Sequence, residues 1–378
     1  MSAIVSAEVF SYRYTLDGYK LSYGTVTEVF PVLLKLTDGH GNIGWGEANP
    51  HQPFTDESSE DVVRALCDDL LPLLLRQSDA EPELIDDILD RVRPGEDLLA
   101  KGAITIALLD IKGRRVGLRV AELLGDVVRE TVQVSHPLSN GSADEDCLVV
   151  DAKLKEGYVD YMLKMGTPST SIADEIERVW TLERRYGASV RFKADANTGW
   201  TRAQASEFLA GVEGTSLAFV EEPIAKGDIE GMALLQAGTT MLISADESLT
   251  GIESARRIVE HEAARVFSIK ITKNGGPLRA QALARLAADH GIRCYANSMM
   301  EGGVTQAASL HLAATIPNLL DIGHSFRSVL RLHGDVTNFA SFIRDGAVRL
   351  PRGPGLGIEV DEAVLRRGAL DVRVLVPD

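Results

Sequence analysis

The sequence predicts an α/β protein, an eight-stranded βα barrel preceded by a smaller α+β unit, and three observations carry that prediction. From about Thr131 onward, short β-rich runs alternate with amphipathic stretches, the pattern of repeated βα units on a parallel sheet. Eight such runs can be read: VQVSH, YMLKMG, VRFKAD, LAFVEE, LISAD, VFSIKI, IRCYAN and LLDIGH. A polar residue near the C-terminal end of each (His136, Lys164, Asp195, Glu221, Asp246, Lys270, Asn297 and Asp321) recurs at intervals of 24 to 31 residues. A βα barrel gathers its active site at that face.

The elements follow in order. AIVSAEVFSYRY, VFPVLLKLTDG and GNIGWGEA alternate apolar and polar residues, which predicts a small sheet. DVVRALCDDLLPLLL, PELIDDILDRV and AITIALLDIKGRRVG read as helices and complete an α+β unit over residues 1–125. Between the barrel runs, SIADEIERVWTLERRYG, RAQASEFLAGVEG, IESARRIVEHEAA and PLRAQALARLAADHG carry apolar residues at helical spacing, so the barrel spans 126–326. The remainder, 327–378, holds short runs (AVRL, LDVRVLV) and Pro-Gly turns, and is expected to pack back on the first unit.

Composition narrows the function. With 39 Lys+Arg against 55 Asp+Glu, the net charge is −16 and no basic block appears, which argues against a nucleic-acid binder. The apolar stretch LLPLLL is far short of a membrane span, and MSAIVSAEVFSYRY lacks a charged segment followed by an apolar one, so the expectation is a cytoplasmic protein without a membrane partner. Cys67, Cys147 and Cys294 form no CxxC pair and no disulfide framework.

Asp195, Glu221 and Asp246 end three successive strands. Hard carboxylate oxygens without a neighbouring His or Cys suit Mg²⁺, which keeps positions open for water or substrate. A single acidic residue at a strand end also serves as a helix N-cap or surface charge; one in each of three successive βα units is the more specific signal. Lys164 and Lys270 flank the trio, one strand before and one strand after, and would face each other across a metal. That is a geometry for two-base proton transfer, provided a nearby cation lowers the lysine pKa. Removing a proton α to a carboxylate creates an enediolate, whose paired negative charges a divalent metal stabilises.

At these residues the chain resembles the enolase superfamily, and within it the mandelate racemase/muconate lactonizing enzyme family. The matching pieces are GNIGWGEA (Gly41 to Ala48), AITIALLDIKGRRVGLRVAELLG (Ala103 to Gly125), LKMG (Leu163 to Gly166), DAN (Asp195 to Asn197), EEP (Glu221 to Pro223), ADES (Ala245 to Ser248), IKITKNGG (Ile269 to Gly276) and NSMMEGG (Asn297 to Gly303). The resemblance implies a modified TIM (β/α) barrel with an α+β capping domain built from both termini, and one Mg²⁺ per chain on Asp195, Glu221 and Asp246. It places Asn197, Glu222 and Glu247 beside the ligands and sets Glu301 near the substrate carboxylate. Lys270 and Asn297 stand where mandelate-type racemases carry a His-Asp dyad, so the chain is similar to the two-lysine, muconate-lactonizing subgroup. That subgroup usually carries a Lys-x-Lys pair on the second strand; here the first position is Met162, and Lys193 is a substitute for the missing cation or a buried structural lysine. His136 and His324, near the ends of the first and last strands, could contact substrate, although a lone His there is commonly a satisfied polar residue. Two loops, Tyr14 to Thr25 with Tyr19 and Tyr23, and Ala48 to Ser58 with His51 and Phe54, match the family's substrate-selecting loops.

The resemblance thus implies a Mg²⁺-dependent enzyme that takes the α-proton from a small carboxylate, and by family analogy a homo-oligomer. Racemisation or epimerisation, β-elimination and cycloisomerisation are all open to two lysines. The expected substrate is of amino- or imino-acid type, such as a proline or hydroxyproline derivative. Asp321-Ile322-Gly323 lacks the Asp-x-Asp of the family's dipeptide epimerases. The alternatives are a muconate-type cycloisomerase and an inert barrel that only binds.

Overall fold

The structure is a computed structural model that describes residues 2–377 apart from Ser22, Tyr23, Pro53 and Asn140. Strands β1 (Ile4–Ser11), β2 (Tyr14–Leu21), β3 (Gly24–Val29), β4 (Val32–Asp38) and β5 (Ile43–Ala48) come first. β1, β4 and β5 form an antiparallel sheet, and β2 and β3 form a separate hairpin. The glycines of GNIGWGEA set how this sheet packs. At Gly44 and Gly46 of β5 a Cβ would meet the carbonyl oxygens of Ala107 at 2.1 Å and Ala103 at 2.0 Å. The long helix Leu98–Val116 therefore rests on bare strand backbone, closer than any side chain permits. Its buried Asp110 accepts from the N–H groups of Trp45 at 3.1 Å and Leu356 at 2.8 Å and from Arg114 Nε at 3.0 Å, tying strand, helix and tail together. DVVRALCDDLLPLLL is helical, with a π-helical stretch at Ala65–Leu70. Pro72 offers no N–H and crowds the carbonyl four residues back; the chain widens, and Leu71 N–H donates to Leu66 O.

β6 (Thr131–Gln133) precedes the barrel strands β7 (Ser135–Leu138), β8 (Asp160–Lys164), β9 (Arg191–Asp195), β10 (Val220–Glu221), β11 (Ile243–Ala245), β12 (Val266–Ile269) and β13 (Arg293–Ala296). β7 to β13 form one parallel sheet in sequence order, with a helix between each pair. After the barrel come β14 (Ile343–Arg344), β15 (Ala347–Arg349) and β16 (Asp371–Leu375). β16 joins the cap sheet against β1, whereas β14 and β15 pair with β6. The fold is thus a modified βα barrel with a cap to which both ends of the chain contribute. No helix among the described residues is long and apolar enough to cross a membrane.

Three expectations need correction. VQVSH is not one strand: it divides at Val134, its first half pairing with β15 and its second opening the barrel as β7. LLDIGH is not a continuous strand either, but it closes the barrel through isolated bridges, Leu319 to Cys294 on one side and His324 to Val134 on the other. Gly323 accounts for the irregularity, because a Cβ there would lie 2.5 Å from Asp160 Cβ. Asp321 is consequently exposed, with its carbonyl accepting from Arg191, and Ser325 takes the inward position instead.

His311 ties the barrel helix Gly303–Ala313 to two neighbours. Ala121 N–H donates to Nδ1 at 3.2 Å, and Nε2–H donates to Leu356 O at 3.0 Å. Burial pushes its pKa down to about 4. A depressed histidine contributes stability above its unfolded pKa and loses it as pH falls toward the folded one. Between pH 6.5 and 5 that loss is about 2 kcal/mol, from ~1.36 kcal/mol per pH unit. Urea unfolding at the two pH values should show His311→Gln losing about that much less than the parent; equal losses would remove His311 as the cause.

Candidate active site

Strand register assembles the carboxylates. Lys164 lies opposite Asp195 across β8 and β9, Asp195 opposite Glu221 across β9 and β10, and Glu221 opposite Ser244 of β11, two residues before Asp246. All three acids are buried. Lys164 donates to Asp195 at one end of the row, and Lys270 donates to Asp246 Oδ2 at 2.5 Å at the other. Between them, Glu221 Oε1 accepts from Asn297 Nδ2 at 2.9 Å, while Oε2 has no hydrogen-bond partner. Burial, then the charges of Asp195 and Asp246, push the Glu221 carboxyl well above its ordinary pKa.

That orphaned oxygen tests whether the residues fit a metal. A buried carboxylate flanked by two others is what a divalent cation satisfies, and the donors are all hard oxygens. Among the described residues no three His, Cys, Asp or Glu side chains already converge as a ligand set, for Asp195 and Asp246 are turned to ammonium groups. The donor set fits Mg²⁺; the lysines neutralise it in this arrangement.

Sequence reasoning missed one of those ammonium groups. Lys273 donates to Asp246 Oδ1 at 2.8 Å and to its carbonyl. It is the second lysine of IKITKNGG, returned to the site by a turn after β12, so no strand or helix periodicity flags it. Burial opposes ionisation of Asp246, but Lys270 and Lys273 hold its carboxyl well below the ordinary range. Burial likewise works to lower the Lys270 pKa, and the charges of Asp246, Glu247 and Glu221 outweigh it and raise it. A base needs the opposite, which a cation bound among those carboxylates would provide. Phe54 covers this corner, its ring centre 3.9 Å from Lys270 Nζ.

The neighbouring polar residues hold the loops. Glu222, at φ +32°, accepts from Asp246 N–H at 2.7 Å and from the Ser248 hydroxyl, which fixes the turn presenting Asp246. Burial is the main cause that brings its pKa to about 7. Glu247 accepts from Asn197 Nδ2 at 3.2 Å, and burial followed by the charge of Asp246 pushes it up to about 8. Asn197 also donates its N–H to Asp195 Oδ1 at 2.9 Å.

Lys164, Lys270, Asp195, Asn197, Asn297, His51 and Phe54 line one pocket, with Met162 and Tyr295 between them. Four other expected residues do not. Glu301 is turned into its own loop, accepting from the N–H groups of Met299 at 2.8 Å and Met300 at 3.2 Å, so the two methionines face the pocket in its place. Lys193 Nζ donates to Ser135 Oγ at 2.9 Å and Gly323 O at 2.8 Å, a clasp across the barrel closure rather than a second cation beside Lys164. His324 stacks on Tyr295, accepts from Ala296 N–H at 3.1 Å and donates to Leu320 O at 3.1 Å. His136 is bonded to Pro137 O at 2.9 Å and packs against Tyr158 and Tyr161 outside this pocket. Tyr23 and the side chain of Tyr19 lie outside the described residues. Arg327 and Arg331, which also line the pocket, were missed because SFRSVLR follows the last barrel run and reads as tail.

Comparison with known proteins follows this geometry. Residues 4–125 match the family model described as mandelate racemase/muconate lactonizing enzyme, N-terminal domain, and residues 148–364 match enolase C-terminal domain-like. The chain is 28% identical to N-succinyl-L-Arg/Lys racemase of Bacillus cereus, over 96% of this chain and 97% of that one. It is 31% identical to muconate cycloisomerase 1 of Acinetobacter baylyi, over 93% and 95%. The crystal structure of the Bacillus cereus racemase superposes with a TM-score of 0.93, covering 99% of this chain and 100% of that one at 28% identity. With both domain models matched in order and the lysine-flanked carboxylate row in place, the chain belongs to the mandelate racemase/muconate lactonizing enzyme family of the enolase superfamily.

Proposed function

We propose that this protein racemises or epimerises a small carboxylic acid of the amino- or imino-acid type, proline and hydroxyproline derivatives included, through proton transfer at the α-carbon. The observation that supports this reading is the placement of Lys164 and Lys270 at opposite ends of the Asp195–Glu221–Asp246 row. One lysine takes the α-proton from one face of the carbon, and the other returns a proton to the opposite face. Asn297 keeps Glu221 oriented, Glu222 keeps the Asp246 turn in place, and Phe54 limits water at Lys270. Asp195, Glu221 and Asp246 would hold Mg²⁺, which when bound supplies positive charge to the substrate carboxylate as its α-carbon loses the proton. Relatives named as an N-succinyl-Arg/Lys racemase and an L-Ala-D/L-Glu epimerase favour amino-acid derivatives.

A cycloisomerase is the second reading, favoured by a 31% identical muconate cycloisomerase. Incubation with Mg²⁺ in D₂O separates the readings. Deuterium at the α-carbon with loss of optical activity is the expected result. An unsaturated product marks β-elimination, lactone from muconate marks cycloisomerisation, and no exchange with any acid leaves an inert barrel.

A further inference from the structure

The pocket carries positive charge that the proton transfer does not use. After the barrel closes, Ser325, Arg327, Ser328 and Arg331 face the pocket alongside Ser135 of β7. Counting around the ring from β7, the carboxylate row occupies the third, fourth and fifth places and the closing stretch the eighth. The segment bearing the arginines therefore leaves the barrel diametrically across from Glu221. A ligand held at the row by one carboxylate extends its other end toward them.

Nothing at that end offsets the arginines. Among the described residues lining the pocket the one carboxylate is Asp195, and Lys164 holds it. His136, which both guanidinium groups influence, stays neutral: burial first, and then the charges of Arg327 and Arg331, keep its pKa at about 2. Arg327 lies over the Tyr158 ring at 5.6 Å, a contact that orients the guanidinium plane without neutralising it. A guanidinium has five N–H donors, so one protein partner does not exhaust it. Met162, Tyr295, Met299 and Leu332 supply apolar wall between the two charged ends.

Resting on the α-proton chemistry proposed above, we infer that Arg327 and Arg331 form a subsite for a second carboxylate, so that the substrate is a diacid spanning the pocket from the Asp195–Glu221–Asp246 row to the two arginines. An amine at the distal end would meet like charge. A neutral end would leave two cations facing an apolar group.

Two measurements on the Mg²⁺-loaded enzyme test this. Calorimetry compares adipate with hexanoate, which differ by the distal carboxylate, and deuterium exchange compares N-succinyl with N-acetyl forms of alanine and proline. The diacid should be preferred about 10- to 100-fold in each pair, the range of charge-assisted bidentate pairing. Arg327→Met and Arg331→Met should each bring that ratio toward one, and Arg327→Lys should restore part of it. A ratio near one in the parent enzyme, or an unchanged ratio in both Met variants, overturns the subsite. The two ideas fail separately. Exchange without diacid preference sinks the subsite and leaves the proton chemistry standing. Adipate preference that the Met variants abolish, with no exchange on any acid, sustains the subsite and sinks the chemistry.

Discussion

Lys164→Ala and Lys270→Ala should each lower net racemisation by at least ~10³-fold, within the range a positioned general base contributes, while each variant still exchanges the α-proton of one enantiomer. The mirror pattern follows from the geometry. Lys164 is anchored at Asp195 and Lys270 at Asp246, with Glu221 between them, so each amine addresses its own face of a carbon held over the row. Removing one lysine leaves the other able to take a proton and return a deuteron on the same side, which is exchange without inversion. NMR in D₂O on the separate enantiomers reads this directly. Loss of exchange for the same enantiomer in both variants would place the lysines on one face and end the two-base reading. Mg²⁺ affinity is the control: neither lysine is a ligand, and losing the ammonium on Asp195 removes a competitor for that carboxylate.

Parts of this site were legible in the sequence for identifiable reasons. The carboxylate row and both lysines stand at strand ends, where a repeat near the length of one βα unit makes position in the chain equivalent to position around a ring. The same repeat misplaced Asp321, since an interval fixes the strand and not which face a residue takes. A glycine that lets the closing stretch pass against Asp160 breaks the alternation, and Ser325 ends up inside. Lys273 was hidden because a turn delivers it. Glu301, His324 and Lys193 misled for another reason: each is a polar residue near a strand end whose partners are backbone groups of its own loop or of the barrel closure. Sequence shows the need for a partner and not its identity. Arg327 and Arg331 came from a segment without barrel periodicity, so their approach to the pocket required the closure to be seen.

Glu221→Gln should weaken Mg²⁺ binding by at least about 100-fold, more than loss of an outer partner entails, and yet make the metal-free protein more stable. Glu221 is fully buried, with Oε1 satisfied by Asn297 and Oε2 satisfied by nothing, between two further carboxylates. Glutamine keeps the oxygen that Asn297 needs and exchanges the orphaned one for an NH₂ able to donate to Asp195 or Asp246. Relieving a buried, unpaired acceptor contributes about 1–3 kcal/mol, here reinforced by the loss of like-charge repulsion. The ligand set loses one of its three charges by the same substitution, so the two effects run in opposite directions from a single atom. Thermal unfolding in EDTA and in Mg²⁺ separates them. The parent should melt higher with Mg²⁺, as binding to the folded state requires; the variant should start higher and respond little. A variant that melts lower in EDTA would mean that Oε2 is not a burden on the fold, and one that keeps the full Mg²⁺ response would remove Glu221 from the ligands.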